Sequence, residues 1–389
     1  MSGARNQPVC GVCGRKLVRN GTTSAGRTRW RCRSCGASTT QSRPDITRRA
    51  ELGTFTQYLL DGTSPEHLAG SRRSFHRKTS WCWRIEVPPP TPTGQIHDVV
   101  IMDGTYFQDW CLLIATDGTH VLDWQWTDRE KKISWTQILA RWPAPKMVVI
   151  DGGPGIYAAL HETWPTTRIQ RCYFHIFQRI RRHVTMTPRL PAGRQILSLT
   201  RALMAVEDLD HAAAWLGKYA SWDAGWDEFL RHRTYATNTT ERPRGISLKQ
   251  QWWYTHRELR RARKLYRNLI HEGSLFAWLD PDLIGPDGPV WPRTTSSLEG
   301  GPNKALKDLF RRHRGLPSEH ARRAAEWLLN DLTEIPRIPW TLVREEHWNP
   351  PRKRPAVTPE PEPGPSLGTS FSWEDGNGIQ HGWAGRSHP

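Results

Sequence analysis

The chain has 389 residues, with 55 Lys plus Arg against 38 Asp plus Glu and a net charge of +17. That length provides for two or three domains with real cores, and a basic excess spread along the chain points to a polyanionic partner, nucleic acid first. No long uninterrupted apolar run, lipidation signal or apolar signal-peptide core is present, which argues against a membrane or exported protein and predicts a cytoplasmic one.

Cys10-Gly-Val-Cys13 and Cys32-Arg-Ser-Cys35 stand eighteen residues apart, each followed by a glycine, Gly14 and Gly36. Two such knuckles let four thiolates converge on one tetrahedral ion closed to water, so Cys10, Cys13, Cys32 and Cys35 are expected to hold one structural Zn2+ in a zinc ribbon over 1–44. Arg15, Lys16, Arg19, Arg27, Arg29, Arg31 and Arg33, with Trp30, make this module basic and suited to DNA. A ribbon for protein contacts is the alternative.

Residues 45–87 carry helical periodicity. Leu52, Phe55, Tyr58 and Leu59 share one spacing, Ser64-Pro65-Glu66 starts a second helix, and a third places Phe75, Trp81 and Trp83 inward. Its polar side holds Arg72, Arg73, Arg77 and Lys78, as a helix-turn-helix needs to enter a major groove; a plain helical spacer would look similar. The Pro-rich run at 88–96 is a stiff linker.

Beyond it, Val99 to Met102 is an apolar run ending on Asp103-Gly104, and Met147 to Ile150 ends the same way on Asp151-Gly152. Each Asp-Gly alone is more simply a turn that closes a strand. Their repetition after two buried-type strands suggests paired carboxylates at a sheet rim, the ligands that a hard divalent cation prefers. Trp110 to Thr116 and His120 to Trp126 complete an antiparallel meander with the Asp103 strand. Helices around 134–141 and 155–162 then alternate with the Asp151 strand and with Ile169 to Cys172. Three antiparallel strands followed by alternating helix and strand is the order of an RNase H-like sheet, a fold that by itself licenses no function.

The combination Asp103-Gly-Thr-Tyr-Phe, Asp151-Gly-Gly-Pro-Gly-Ile-Tyr, Gln170-Arg-Cys172-Tyr-Phe-His175 and Ser297-Leu-Glu299-Gly-Gly-Pro-Asn303 resembles the prokaryotic insertion-sequence transposases of the Mutator-related DDE superfamily. The resemblance spans roughly 99–332, with Ser297 standing where the family usually carries Asn. It implies that Asp103, Asp151 and Glu299 form a DDE triad holding two Mg2+ (or Mn2+) ions, and that Cys172 and His175 match the family's Cys-x-x-His motif near the site. It also implies strand cleavage and strand transfer on double-stranded DNA, with transposon terminal inverted repeats and target DNA as partners and a homodimer or higher assembly on the nucleoid. A DNA nuclease that cuts without joining, or a non-catalytic regulator derived from a transposase, would share these features. On spacing alone Cys172 and His175 have half the ligands of a zinc site but no second pair nearby, which argues against a metal role; His175 is expected either to orient DNA or the scissile phosphate, or to hydrogen-bond within the core while Cys172 packs.

The residues between Asp151 and Glu299 are too many for a loop and carry helical periodicity. Helices are expected at 194–205 and 210–219, with Trp215, Trp222 and Trp226 as an apolar stripe. A basic helix follows Trp252, Trp253 and Tyr254, with Arg257, Arg260 and Arg263 directed to DNA phosphates. After Glu299 a further basic helix carries Arg311.

The expected architecture is therefore multidomain α/β. Zinc ribbon (1–44), helix-turn-helix (45–87) and linker (88–96) precede an RNase H-like catalytic domain in two parts (97–183 and 294–335). An all-helical insertion (184–293) interrupts that domain, and a Pro-rich, largely disordered tail (336–389) follows it.

Overall fold

The computed structural model describes residues 8–10, 12–40, 44–107, 109–239, 241–284 and 288–351; the Pro-rich stretch from 352 onward lies outside the described residues. One compact unit runs to Val343 and a second begins at Arg344. The described part of the second carries a 3-10 turn, Glu345–His347.

At the start, β1 (Val18–Thr22), β2 (Thr28–Arg31) and β3 (Ser38–Thr39) form a three-stranded antiparallel sheet. Its core is small, Leu17 with Cys10 and Cys32, and Trp30 packs on it. Next come α1 (Pro44–Thr56), extended by a π turn at Gln57–Asp61, then α2 (Pro65–Ala69) and α3 (Arg72–Thr79). Ser64 and Ser71 cap α2 and α3 by accepting the N–H groups of His67 and Ser74. Leu52, Phe55, Leu59, Phe75 and Trp81 are buried on the inner side of these helices.

The main sheet contains β4 (Val99–Phe107), β5 (Trp110–Thr116), β6 (Val121–Thr127), β7 (Met147–Ile150) and β8 (Arg168–Arg171), in the order β6-β5-β4-β7-β8. β5 is antiparallel to β4 and β6, whereas β4, β7 and β8 are mutually parallel neighbours. The crossover helices α4 (Lys132–Leu139) and α5 (Pro154–Thr163) cover one face, where Val100, Met102, Val148 and Ile150 pack with Trp135, Ile138 and Leu160. Strand alternation sends Ile101, Asp103, Val149 and Asp151 to the other side.

From β8 the chain enters α6 (Tyr173–Val184) and then an insertion of α7 (Pro191–Ala202), α8 (Leu209–Gly225), α9 (Asp227–Arg231), β9 (Arg233–Tyr235), β10 (Trp252–Tyr254), α10 (Arg257–His271) and α11 (Pro281–Ile284). The insertion is not all-helical: β9 and β10 pair antiparallel, with Trp253 opposite Thr234. Consecutive aromatics favour an extended ribbon there. Helices α7, α8 and α10 enclose Trp215, Tyr219, Trp222 and Tyr266, all buried. Each of the four has its polar atom satisfied, as in Trp222 Nε1 to Ala192 O at 3.0 Å and Tyr266 Oη to Thr200 Oγ1 at 2.8 Å.

The return path is pinned beside β8. Arg171 N donates to Ser274 O at 2.8 Å and Tyr173 N to Arg293 O at 3.1 Å. Buried Gln170 donates to Leu275 O and accepts from Trp278 N. The chain then forms α12 (Ser296–Gly300), α13 (Pro302–Arg312) and α14 (Ser318–Asp331). Thr105 Oγ1 donates to buried Asn303 at 2.8 Å, and Val121 N to Leu332 O at 2.9 Å, fixing these helices against the sheet. Within the segment expected to be Pro-rich and largely disordered from 336, Pro339–Leu342 forms a 3-10 turn. Asn330 brackets the Arg337 backbone through both amide atoms, and Arg337 donates to Pro89 O and Thr91 Oγ1 in the linker. No helix among the described residues is long and apolar enough to cross a membrane.

Candidate active site and metal centre

Cys10, Cys13, Cys32 and Cys35 offer sulfur atoms that all lie within 4.8 Å of one another, with Cys10 and Cys35 at 3.6 Å and Cys13 and Cys32 at 3.5 Å. Gly14 and Gly36, at φ 70° and 74°, donate to the Cys10 and Cys32 carbonyls and close each knuckle. Within each loop, backbone N–H groups aim at sulfur. Those of Cys13 and Val12 lower Cys10, and those of Cys35 and Ser34 bring Cys32 down to about 6. A donor set of this kind could hold a structural metal such as zinc.

The second site lies at the rim of the main sheet. The parallel ladder pairs Met102 with Ile150, so Asp103 and Asp151 occupy the next position on adjacent strands. Burial first, and then the Asp151 charge, pushes the Asp103 carboxyl up to about 7, with His175 opposing the rise. Glu299 reaches the same group from α12: its charge adds to the rise of Asp103, and its Oε1 stands 3.8 Å from His175 Nε2.

Cys172 and Thr295 set the position of Glu299. The fully buried Cys172 sulfur accepts the Thr295 N–H at 3.3 Å and lies 3.4 Å from Thr295 Oγ1, which also donates to Glu299 Oε1 at 3.0 Å. His175 is pushed up to about 9 by the adjacent Cys172, against burial, and further by Asp103 and Asp151. Its Nδ1 is buried without a hydrogen-bond partner among the described residues.

Three residues at this rim escaped the sequence reading. Thr295 lies four residues before Glu299, in a polar run that carries no catalytic signature of its own. Arg171, 8% exposed, donates to Asp151 O at 2.9 Å and lies over Gly152, where a Cβ would fall 1.7 Å from its Cζ. Gly152 also has φ +85°, so both space and backbone require glycine. Glu130 is pushed up to about 7 by burial and then by Asp151 and Asp103. Among the described residues, the cysteines form the group of three or more potential ligands drawn within 4.8 Å; the rim carboxylates are coupled electrostatically but are not gathered that closely. By contrast Asp123, also buried on the sheet, is held by Arg141 and Trp142 and belongs to the core.

Arg72, Arg73, Arg77 and Lys78 are exposed on α3, and Arg311 is exposed on α13 with Asp308 at 2.6 Å. On α10, Arg257 and Arg260 line an open groove with Lys264 and Arg267. Arg260 lies 3.5 Å over the Tyr254 ring and donates to Leu230 O at 2.8 Å. The expectation of a phosphate contact from Arg263 does not hold: its side chain is 7% exposed and pairs with Asp223 and Asp227, both at 2.6 Å. Arg263 is internal glue between α10 and the α8–α9 corner.

The chain is thus a mixed α/β protein with a four-cysteine cluster and, apart from it, a set of carboxylates at one sheet rim. Residues 110–269 match the family described as "Transposase, Mutator family". The matched region contains Asp151, Cys172 and His175; Asp103 precedes it and Glu299 follows it. The chain is also 33% identical over 117 residues to the transposase for insertion sequence element ISRM5 of Rhizobium meliloti (strain 1021), an alignment covering 28% of each protein.

Three outcomes test this description. Metal analysis of the purified chain should find one zinc, lost in Cys32→Ser together with protease resistance of residues 8–40; zinc retained at full stoichiometry would refute the cluster. Asp103 titrates at about 7 when folded against 3.8 for the free group, so the folded state binds the proton more tightly. Its ionisation therefore costs stability progressively from about pH 4 to about pH 7, and in full above that. Without added magnesium, Asp103→Asn should raise Tm at pH 8 by about 2 °C or more, with the gain shrinking towards pH 5 in calorimetry. Arg263→Ala should cost about 2–3 kcal/mol in denaturant unfolding, the low side of a broken buried pair because its aspartates are partly exposed.

Proposed function

We propose that the chain is a DNA transposase in which Asp103, Asp151 and Glu299 act together in metal-dependent strand cleavage and strand transfer. The observation that carries this reading is the parallel register that sets Asp103 beside Asp151, in a chain whose middle matches Mutator-family transposases. The sheet order, an antiparallel meander followed by two parallel strands, supports assignment to the RNase H-like folds. The donor set fits hard divalent cations such as Mg2+ or Mn2+, since Asp103, Asp151 and Glu299 offer oxygen alone and the like charges raise Asp103. When bound there, such cations supply Lewis-acid activation of water or a DNA 3′-hydroxyl and stabilise the leaving oxygen.

The chain's own residues orient that chemistry. Cys172 and Thr295 fix the Glu299 carboxylate, and the largely cationic His175 lies beside it, where a scissile phosphate would arrive. The zinc ribbon and the α1–α3 helix-turn-helix serve to read terminal inverted repeats, with Arg72, Arg73, Arg77 and Lys78 facing DNA. Arg257, Arg260 and Arg311 add backbone contacts to the catalytic region. Joining two transposon ends requires at least a dimer on DNA, and the substrate places the protein on the cytoplasmic nucleoid.

The test is a strand-transfer assay with Mg2+ on DNA carrying the inverted repeats that flank the reading frame. Wild type should give joined products, and Asp103→Asn, Asp151→Asn and Glu299→Gln should each lose activity by about a thousandfold or more. Cleavage without joined product would make the protein a nuclease, and activity unchanged in Asp103→Asn would end the catalytic reading. Arg77→Ala and Lys78→Ala should each lower the slope of log affinity against log salt by about 1, uniformly across sequences for a phosphate contact.

A further inference from the structure

Glu130 sits on the loop between β6 and α4, half-buried, on the side of the sheet opposite the two aspartates. Two glycines make room for it, Gly104 for the side chain and Gly155 for the backbone carbonyl. Alternation turns position 104 towards α4, and a Cβ built there would fall 2.5 Å from Glu130 Cδ and 2.8 Å from both Cγ and Oε1. At Gly155 a Cβ would meet Glu130 O at 2.3 Å. At Gly153 it would stand 3.6 Å from Asp151 Oδ1 and 3.8 Å from Glu130 Oε2, so one carbon's contact shell spans both carboxylates. From the other side, the Glu130 N–H donates to the Tyr106 hydroxyl of β4 at 3.4 Å.

The neighbouring acids differ. Asp128 is paired with Lys131, Glu162 with Lys132 and Asp123 with Arg141, whereas Glu130 has no ion-pair partner among the described residues. A half-buried carboxylate set beside Asp151 without a cation must either hold a proton or ligate a cation. A side chain at position 104 would bar it from the rim, which gives the glycine after Asp103 a role beyond the turn.

We propose that Glu130 is a fourth carboxylate of the active site, crossing the sheet edge over Gly104 to complete the oxygen set that Asp103, Asp151 and Glu299 present to a divalent cation. This rests on the metal-dependent reading above and extends it to a residue outside the triad. Glu130 brackets the rim from the α4 side, so a cation would receive oxygen from both faces of the sheet rather than one.

The test is Mn2+ binding to the zinc-loaded full chain, with free Mn2+ followed by electron paramagnetic resonance. Glu130→Gln should weaken Mn2+ binding about tenfold or more, as Asp103→Asn should, while the surface control Glu319→Gln binds as wild type. Wild-type affinity in Glu130→Gln with loss in Asp103→Asn would overturn the role of Glu130 and leave the triad standing. Wild-type affinity in both would overturn the metal site itself, and Glu130 with it. Should Glu130→Gln fail to fold by circular dichroism, Gly104→Ala keeps every carboxylate and displaces Glu130 by one methyl group. It should weaken Mn2+ in the same range, and unchanged affinity there would refute the proposal.

Discussion

Two aspartates held side by side on adjacent parallel strands are the constraint on which the rest of this molecule depends. Strands are ~4.8 Å apart, and two charges at about that distance repel by ~3 kcal/mol at an effective dielectric of ~20. The repulsion has to be carried by the packing beneath. Val100, Met102, Val148 and Ile150, at 5% exposure or less, lock the register against α4 and α5. Because a slip of one residue would turn both aspartates into that apolar face, the same core that stabilises the sheet also fixes the site. An upward shift of Asp103 to about 7 is the trace of that opposition.

The glycines around the aspartates follow from crowding at the rim. Gly152 gives way to Arg171, whose guanidinium holds the Asp151 carbonyl and brings a positive charge under a negative cluster. Gly104 and Gly155 give way to Glu130. A turn explains only the first of these, the one with positive φ. The others are absences of side chain that let a neighbour approach, so each short motif is half of a contact whose other half lies elsewhere in the chain.

This division decides what the sequence could disclose. Local patterns were legible: the paired Cys-x-x-Cys spacing, the capping serine of α2, the apolar strands that end on aspartate. Glu299 needed the resemblance to transposases, because a carboxylate at a helix start is favourable anywhere. Glu130 carried no signal in the charged run Asp128 to Lys132, since its meaning depends on Gly104, a strand away. Arg263 misled for the same reason: α10 presents it in a series with Arg260 and Arg267, and its partners Asp223 and Asp227 lie 40 and 36 positions earlier. The β9–β10 ribbon was missed because its two strands are three residues each and their pairing spans a loop.

Helix α13 ties these regions together. It begins at Pro302, directly after the Glu299 turn, and ends at Arg312, a rod of ~16 Å at 1.5 Å per residue. At its far end Arg312 donates to Leu60 O at 2.8 Å, while the buried His313 lies 2.9 Å from Leu59 O and packs its ring on Tyr58 at 4.7 Å. Trp83 stacks on His320 at 4.3 Å, and Arg323 reaches Glu86. The helix carrying the exposed α3 cations is therefore set against the third acid by side-chain packing, and the Pro-rich linker, itself held by Arg337, merely completes the covalent path. A shift of α3 would be resisted at His313 before it could be absorbed in the linker. The placement of α3 and the approach of Glu299 to the sheet rim are in that sense one geometric problem, solved by a single helix.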